Sequence, residues 1–192
     1  ILGRENPGGR LITPDEVAAT VTKTIAAGAV GINIEDTDHR TRGSTGGGTG
    51  SSTGGALFDF ALAVERIAGA REAADATGIP FVLNARTDTY WHGARDKTVM
   101  HDEAHDETLR RAAAFRDAGA DCIFVPGPTD REVIARLATD IDAPLNVMGG
   151  AKSPGIDVLS EIGVRRVTVG AIMARATYDT LEKAAAELRD TG

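Results

Sequence analysis

Apolar and polar positions along the chain fall into a repeating order: a helical stretch, a glycine, then a short apolar run. Thr13-Pro14-Asp15-Glu16 opens the first helix, with Thr as N-cap, Pro at the first helical position and acids facing the helix dipole. This helix runs to about Ala27 and ends at Gly28, and a strand over 29–35 follows. Phe58 to Thr77 reads as a helix with Phe60, Val64, Ile67, Ala70 and Ala74 on one face. Gly78 ends it before the strand 79–86. Residues 89–104 read as a polar, irregular excursion. A helix from Asp106 to Ala118, with Leu109, Ala112, Ala113 and Phe115 inward, ends at Gly119 before the strand 121–125. Thr129 or Asp130 caps a helix through Leu137, and 144–148 is a strand. Ser153-Pro154 opens a short helix ending before Gly163. The strand 165–169 and an amphipathic helix over 171–190 complete the chain.

Strands alternating with helices imply βα units and a parallel sheet. The count is five strands with a helix before the first. A full (β/α)8 barrel needs eight strands and typically ~250 residues. A five-stranded doubly wound sheet also satisfies the count, but it should carry a phosphate loop after its first strand. Residues 43–55 hold only Gly, Ser and Thr and match neither G-x-G-x-x-G nor G-x-x-x-x-G-K-[S/T].

Composition narrows the class of partner. A net charge of −7 with no Lys/Arg run argues against nucleic-acid binding. With aromatics at 4%, Ala, Val, Ile and Leu must fill most of the core. The single Cys122 excludes an internal disulfide and a Cys-based zinc cluster, and its apolar setting reads as a small buried side chain. No apolar run reaches the ~20 residues of a membrane helix and no signal peptide is visible, so a cytoplasmic location is expected.

Candidate chemistry gathers where strands end in charge. Glu35 and Asp36 are adjacent hard oxygen donors that can hold Mg²⁺ directly or through water; the alternative is a helix cap or salt bridge. Arg86 ends a strand and can grip a carboxylate, or can pair with Asp88. Asn146 is polar within an apolar strand and must face either a ligand or a structural network. His39 and Arg40 stand where a substrate phosphate or carboxylate would come in, or form an exposed loop. His101 and His105 are spaced as a zinc pair, but no H-E-x-x-H is present and their acidic neighbours read as a solvated face.

These residues also carry a resemblance. Gly28-Ala-Val-Gly-Ile-Asn-Ile-Glu-Asp36, Glu65-Arg66-Ile-Ala-Gly-Ala-Arg71, Asn84-Ala-Arg-Thr-Asp88, Ala118-Gly-Ala-Asp-Cys-Ile-Phe-Val-Pro126, Pro144-Leu-Asn-Val147 and Arg166-Val-Thr-Val-Gly170 resemble the isocitrate lyase/phosphoenolpyruvate mutase superfamily. The resemblance implies a (β/α)8 TIM-type barrel, commonly a homotetramer, of which residues 1–192 form a single domain with about the last five βα units. It implies Mg²⁺ as cofactor and C–C or P–C chemistry on a small carboxylate substrate through an enolpyruvate-like species. By position, Glu35 resembles the acid that reaches Mg²⁺ through water, Arg86 the arginine that binds the substrate carboxylate, and Asn146 a polar residue lining the mouth.

The departures sort the activities. The family's main metal motif, two acids one residue apart, is expected upstream of Ile1. Residues 37–55 lack the Cys of the isocitrate and methylisocitrate lyases, and also the Lys and Asn-Ser of the phosphonate branch. The expectation is therefore a Mg²⁺-dependent lyase, decarboxylase or hydrolase acting on a 2-oxo or 2-hydroxy acid, with 43–55 as a lid. A phosphonate-type phosphomutase and a catalytically silent barrel remnant are the alternatives.

Overall fold

The computed structural model describes residues 13–38, 56–93 and 101–192. Residues 1–12, the lid expected over 43–55, and His39 and Arg40 lie outside these. Helix α1, Pro14–Ala26, starts as its sequence requires. The Glu16 N–H donates to Thr13 Oγ1 at 3.3 Å, and the Thr13 N–H donates to Glu16 Oε2 at 3.0 Å. This reciprocal pair satisfies two donors that a bare helix end would leave open.

Five strands form one parallel sheet: β1 (Gly31–Glu35), β4 (Val82–Arg86), β5 (Cys122–Val125), β6 (Leu145–Met148) and β7 (Arg166–Thr168), in that order across the sheet. Each of these five strands pairs with the one of the five that follows it along the chain, so the order never reverses. A doubly wound sheet has a reversal point where its strand order changes direction, and this sheet has none. The progression is that of a barrel wall with helices outside. A second, two-stranded ladder, β2 (Thr37–Asp38) with β3 (Ala56–Leu57), closes the base of the segment between them.

The helices α1, α2 (Phe60–Asp75), α4 (His101–Asp117), α5 (Arg131–Asp140) and α6 (Ile156–Glu161) follow in order. Alternate strand residues Ile34, Leu83, Ala85, Ile123, Val125, Leu145 and Val147 are buried with them in one core. Gly69 allows α2 to lie close on α1, because a Cβ there would stand 3.2 Å from the Pro14 carbonyl oxygen. The four glycines expected to end helices, Gly28, Gly78, Gly119 and Gly163, all have positive φ. At Gly119 the constraint is double: φ is +101°, and an added Cβ would lie 2.5 Å from Arg71 Cγ. Helix α7, Ile172–Thr191, has no buried residue.

The structure corrects several sequence expectations. The second helix begins at Phe60 with Asp59 as its cap, because Phe58 turns into the core and its N–H donates to the Asp36 carbonyl at 2.7 Å. Its buried row is Ala63, Arg66, Ile67, Ala70 and Ala74, so Phe60 and Val64 stand at the edge. The excursion over 89–104 contains α3 (Thr89–Gly93) and the start of α4. Ala113 is exposed, and the inward row of α4 is Ala104, Thr108, Arg111, Ala112 and Phe115. His105 does not sit on a solvated face. It is 1% exposed, with Nδ1 2.9 Å from the Tyr90 hydroxyl and Nε2 2.9 Å from Asp140 Oδ2.

This contact ties α3 to α4 and α5. With Nε2–H donating to Asp140, Nδ1 is left to accept the Tyr90 hydroxyl hydrogen. Tyr90→Phe strands that buried acceptor and is expected to destabilise the fold by about 1–3 kcal/mol, read as a lower midpoint in thermal unfolding. An unchanged midpoint would show that the hydroxyl is not holding α3.

Candidate functional site

On each strand, the face opposite the core forms the inside of the barrel wall. Strand register places Glu35, Arg86, Phe124, Asn146 and Arg166 in one row across that face. Three residues singled out from the sequence, Glu35, Arg86 and Asn146, therefore share a level. Arg86 is its centre. Its Nε donates to Asp88 Oδ1 at 2.7 Å and its Nη2 to Asp88 Oδ2 at 3.1 Å, while Nη1 stands 3.2 Å from Glu35 Oε2. Its guanidinium also lies 5.6 Å from the Phe124 ring centre and 5.8 Å from that of Trp91. Burial alone would lower its pKa, but the Asp88 hydrogen bond and the charges of Asp88, Glu35 and Asp36 raise it overall. The Arg86–Asp88 pair left open by the sequence is present. It orients a half-buried cation whose five N–H donors are not all used among the described residues.

Asp88 is itself held. Thr37 Oγ1 donates to Asp88 Oδ2 at 2.6 Å and lies 3.2 Å from His92 Nε2. The hydroxyl has one hydrogen and gives it to Asp88, so His92 Nε2 is the donor to Thr37. The Asp88 N–H donates to Asp36 Oδ1 at 2.9 Å, and Arg111 Nη1 stands 3.2 Å from Asp36 Oδ2. Arg111 also donates to Glu107 Oε1 at 2.7 Å and to the Phe58 carbonyl at 3.1 Å. Arg66 donates to the Glu35 carbonyl at 2.8 Å and lies 4.3 Å from the Phe58 ring centre. Burial lowers its pKa to about 10 against the charges of Asp36, Glu35 and Asp38.

Two expected roles change. Asp36 is 2% exposed with both oxygens engaged, so it anchors a buried ion pair and does not present a metal ligand to the mouth. Asn146 is fully buried: its amide donates to Thr168 Oγ1 at 2.9 Å and its carbonyl accepts from the same hydroxyl at 3.0 Å. It ties β6 to β7, the structural-network reading of this position. Arg66, Arg111, Trp91 and His92 were not assigned roles from the sequence. The two arginines carried a signal, since each sits at helical spacing within a largely apolar row: Arg66 between Ala63 and Ala70, and Arg111 between Ala104 and Phe115.

The donors among the described residues do not make a magnesium site by themselves. Among the described residues no three His, Cys, Asp or Glu side chains converge to hold a metal. Glu35 offers one carboxylate, and it faces Arg86.

Burial is the largest influence on Asp36 and pushes its carboxyl from 3.8 up to about 6, against the lowering pulls of Arg111 and the Asp88 N–H. A carboxyl with a raised folded-state pKa binds more protons folded than unfolded. Its stabilising contribution is full below about pH 4 and is lost as pH rises through about 6. Asp36→Asn removes this titration. The stability of the Asn variant relative to the parent is expected to improve by about 2–3 kcal/mol between pH 4 and pH 7.5, measured by urea unfolding. A difference independent of pH would contradict the burial of this carboxylate.

A parallel, unreversed sheet with a charged cluster at its carboxyl ends defines a barrel-type α/β protein with its candidate site at that end. The chain belongs to the phosphoenolpyruvate phosphomutase family, whose model matches residues 9–189, and so to the isocitrate lyase/phosphoenolpyruvate mutase superfamily. It is 32% identical over 161 residues to an uncharacterised Mycobacterium tuberculosis protein, covering 83% of this chain and 50% of that one. It is 30% identical over 174 residues to an oxaloacetate decarboxylase of Bradyrhizobium, covering 86% and 53%. Among solved structures, 2,3-dimethylmalate lyase superposes with a TM-score of 0.72 at 28% identity, covering 94% of this chain and 57% of that one. The chain thus spans about half the length of the curated relatives it matches. No helix among the described residues is long and apolar enough to cross a membrane.

Proposed function

We propose that this protein is a lyase-type enzyme that breaks a C–C bond of a 2-oxo or 2-hydroxy carboxylic acid. The observation that carries the reading is Arg86: a half-buried guanidinium at a strand's carboxyl end, oriented by Asp88 and flanked by Glu35. Such a cation binds a carboxylate in bidentate fashion and favours negative charge developing on a neighbouring oxygen. Trp91 and Phe124 flank it and limit water on that side. Family membership supports the reaction class, and two relatives are named for C–C cleavage, a decarboxylase and a dimethylmalate lyase. Residues 37–55 contain neither Lys nor Asn, which favours C–C over P–C chemistry.

The test is ¹H NMR of the chain with oxaloacetate and with alkyl-substituted malates and citrates, each with Mg²⁺ and with EDTA. Enzyme-dependent release of a shorter 2-oxo acid or of bicarbonate supports the proposal, and dependence on Mg²⁺ is read from the same spectra. Phosphonopyruvate formed from phosphoenolpyruvate, seen by ³¹P NMR, would replace it with the mutase reading.

A further inference from the structure

A cleft of about 430 Å³ opens beside the Arg86 cluster, lined on its apolar side by Trp91, Met148, the Gly149-Gly150 turn and Ile172, with Thr129, Lys152 and Ser153 also in its lining. Met148 lies two residues beyond Asn146 on β6, so it belongs to the same face as the Arg86 row, one step nearer the mouth. Trp91 belongs to both places, since it lines the cleft and its ring centre lies 5.8 Å from the Arg86 guanidinium. The floor depends on glycine. A Cβ on Gly149 would lie 2.6 Å from Val167 Cγ1, and one on Gly150 would lie 2.9 Å from Ile172 Cδ1. The cleft is large enough to hold several waters. Its apolar side offers little to hydrogen-bond them.

We propose that this cleft receives a hydrocarbon substituent of the acid whose carboxylate Arg86 binds, so that the substrate class is an alkyl- or aryl-bearing 2-oxo or 2-hydroxy acid. The inference rests on the Arg86 reading above. Its own content is the occupant, fixed by continuity. A ligand held by its carboxylate at Arg86 and extending past Trp91 passes from the charged cluster into the apolar cleft. Each methylene buried there should tighten binding roughly fourfold. A second carboxylate placed there would meet Trp91, Met148 and Ile172 and lose hydration, with only the exposed Lys152 ammonium to offset the loss.

Calorimetric titration of the full chain with oxalate, pyruvate, 2-oxobutanoate, 2-oxopentanoate and 2-oxohexanoate tests this. Affinity is expected to climb severalfold per carbon from pyruvate to 2-oxohexanoate. Ile172→Asp, a surface change checked for folding by circular dichroism, should flatten that climb. A flat series in the parent, with oxalate bound and lost in Arg86→Ala, overturns the cleft assignment and leaves the carboxylate reading standing. Failure of every acid to bind overturns both. A flat series together with a dimer in light scattering would assign the cleft to a second copy of the chain and overturn the proposal as well.

Discussion

Arg86→Ala is expected to lower kcat/KM on a carboxylate substrate by at least about a thousandfold, with a far-ultraviolet spectrum like that of the parent. The size of the loss follows from two effects at one group. A bidentate guanidinium–carboxylate contact holds the substrate, and the same charge stabilises anionic character as the bond breaks. The secondary structure should survive because Arg86 lies on the inner face of β4, away from the core formed by Leu83 and Ala85, while the loss of the guanidinium beside buried Asp88 should lower the unfolding midpoint. Arg86→Lys keeps the charge but not the fork that engages Asp88 through both Nε and Nη2, so only part of the activity should return. An Arg86→Ala enzyme with near-parental kcat/KM would remove the residue from the site.

Arg111→Met is expected to destabilise the protein by about 3–5 kcal/mol, a large share of the ~5–15 kcal/mol available to a domain of this kind. The substitution roughly keeps the side chain's volume and removes only the cation. Asp36 then remains almost fully buried with the Asp88 N–H but without the guanidinium 3.2 Å away. The Phe58 carbonyl and Glu107 lose a donor at the same time. Replacing Arg111 and Asp36 together by Met and Leu should recover part of this loss, because the stranded charge is then gone. A urea-unfolding difference below about 1 kcal/mol for Arg111→Met would show that the pair is more solvated than its geometry implies.

The chain's periodicity made the architecture legible. Glycines at the helix ends and apolar runs after them announced the five strands, but the parallel reading alone left a doubly wound sheet open, and the barrel order came with the family resemblance. The positions of Glu35 and Arg86 were legible because each ends a buried strand in charge, and of the two readings open for Arg86 the structure shows the pair with Asp88. Asn146 was also visible, but its role was not: whether a polar strand residue meets a ligand or a neighbour depends on what lies across the sheet, here Thr168. His105 misled for a similar reason. Acidic neighbours suggested solvent, while helix periodicity places it on the turn that faces Tyr90 and Asp140. The support of Asp36 by Arg111 spans 75 residues and could come only from the packing of α4 beside α2 and β5, which brings Arg111 to the segment after β1.

The claim at the centre of this account is that Arg86 is a prepared carboxylate anchor. Oxalate, a small dianion without a hydrocarbon arm, reads that claim without the cleft and without turnover. Calorimetric titration of the parent and of Arg86→Ala with oxalate is expected to give measurable binding in the parent and at least about a hundredfold weaker binding in the variant. Equal affinity in the two proteins would contradict it.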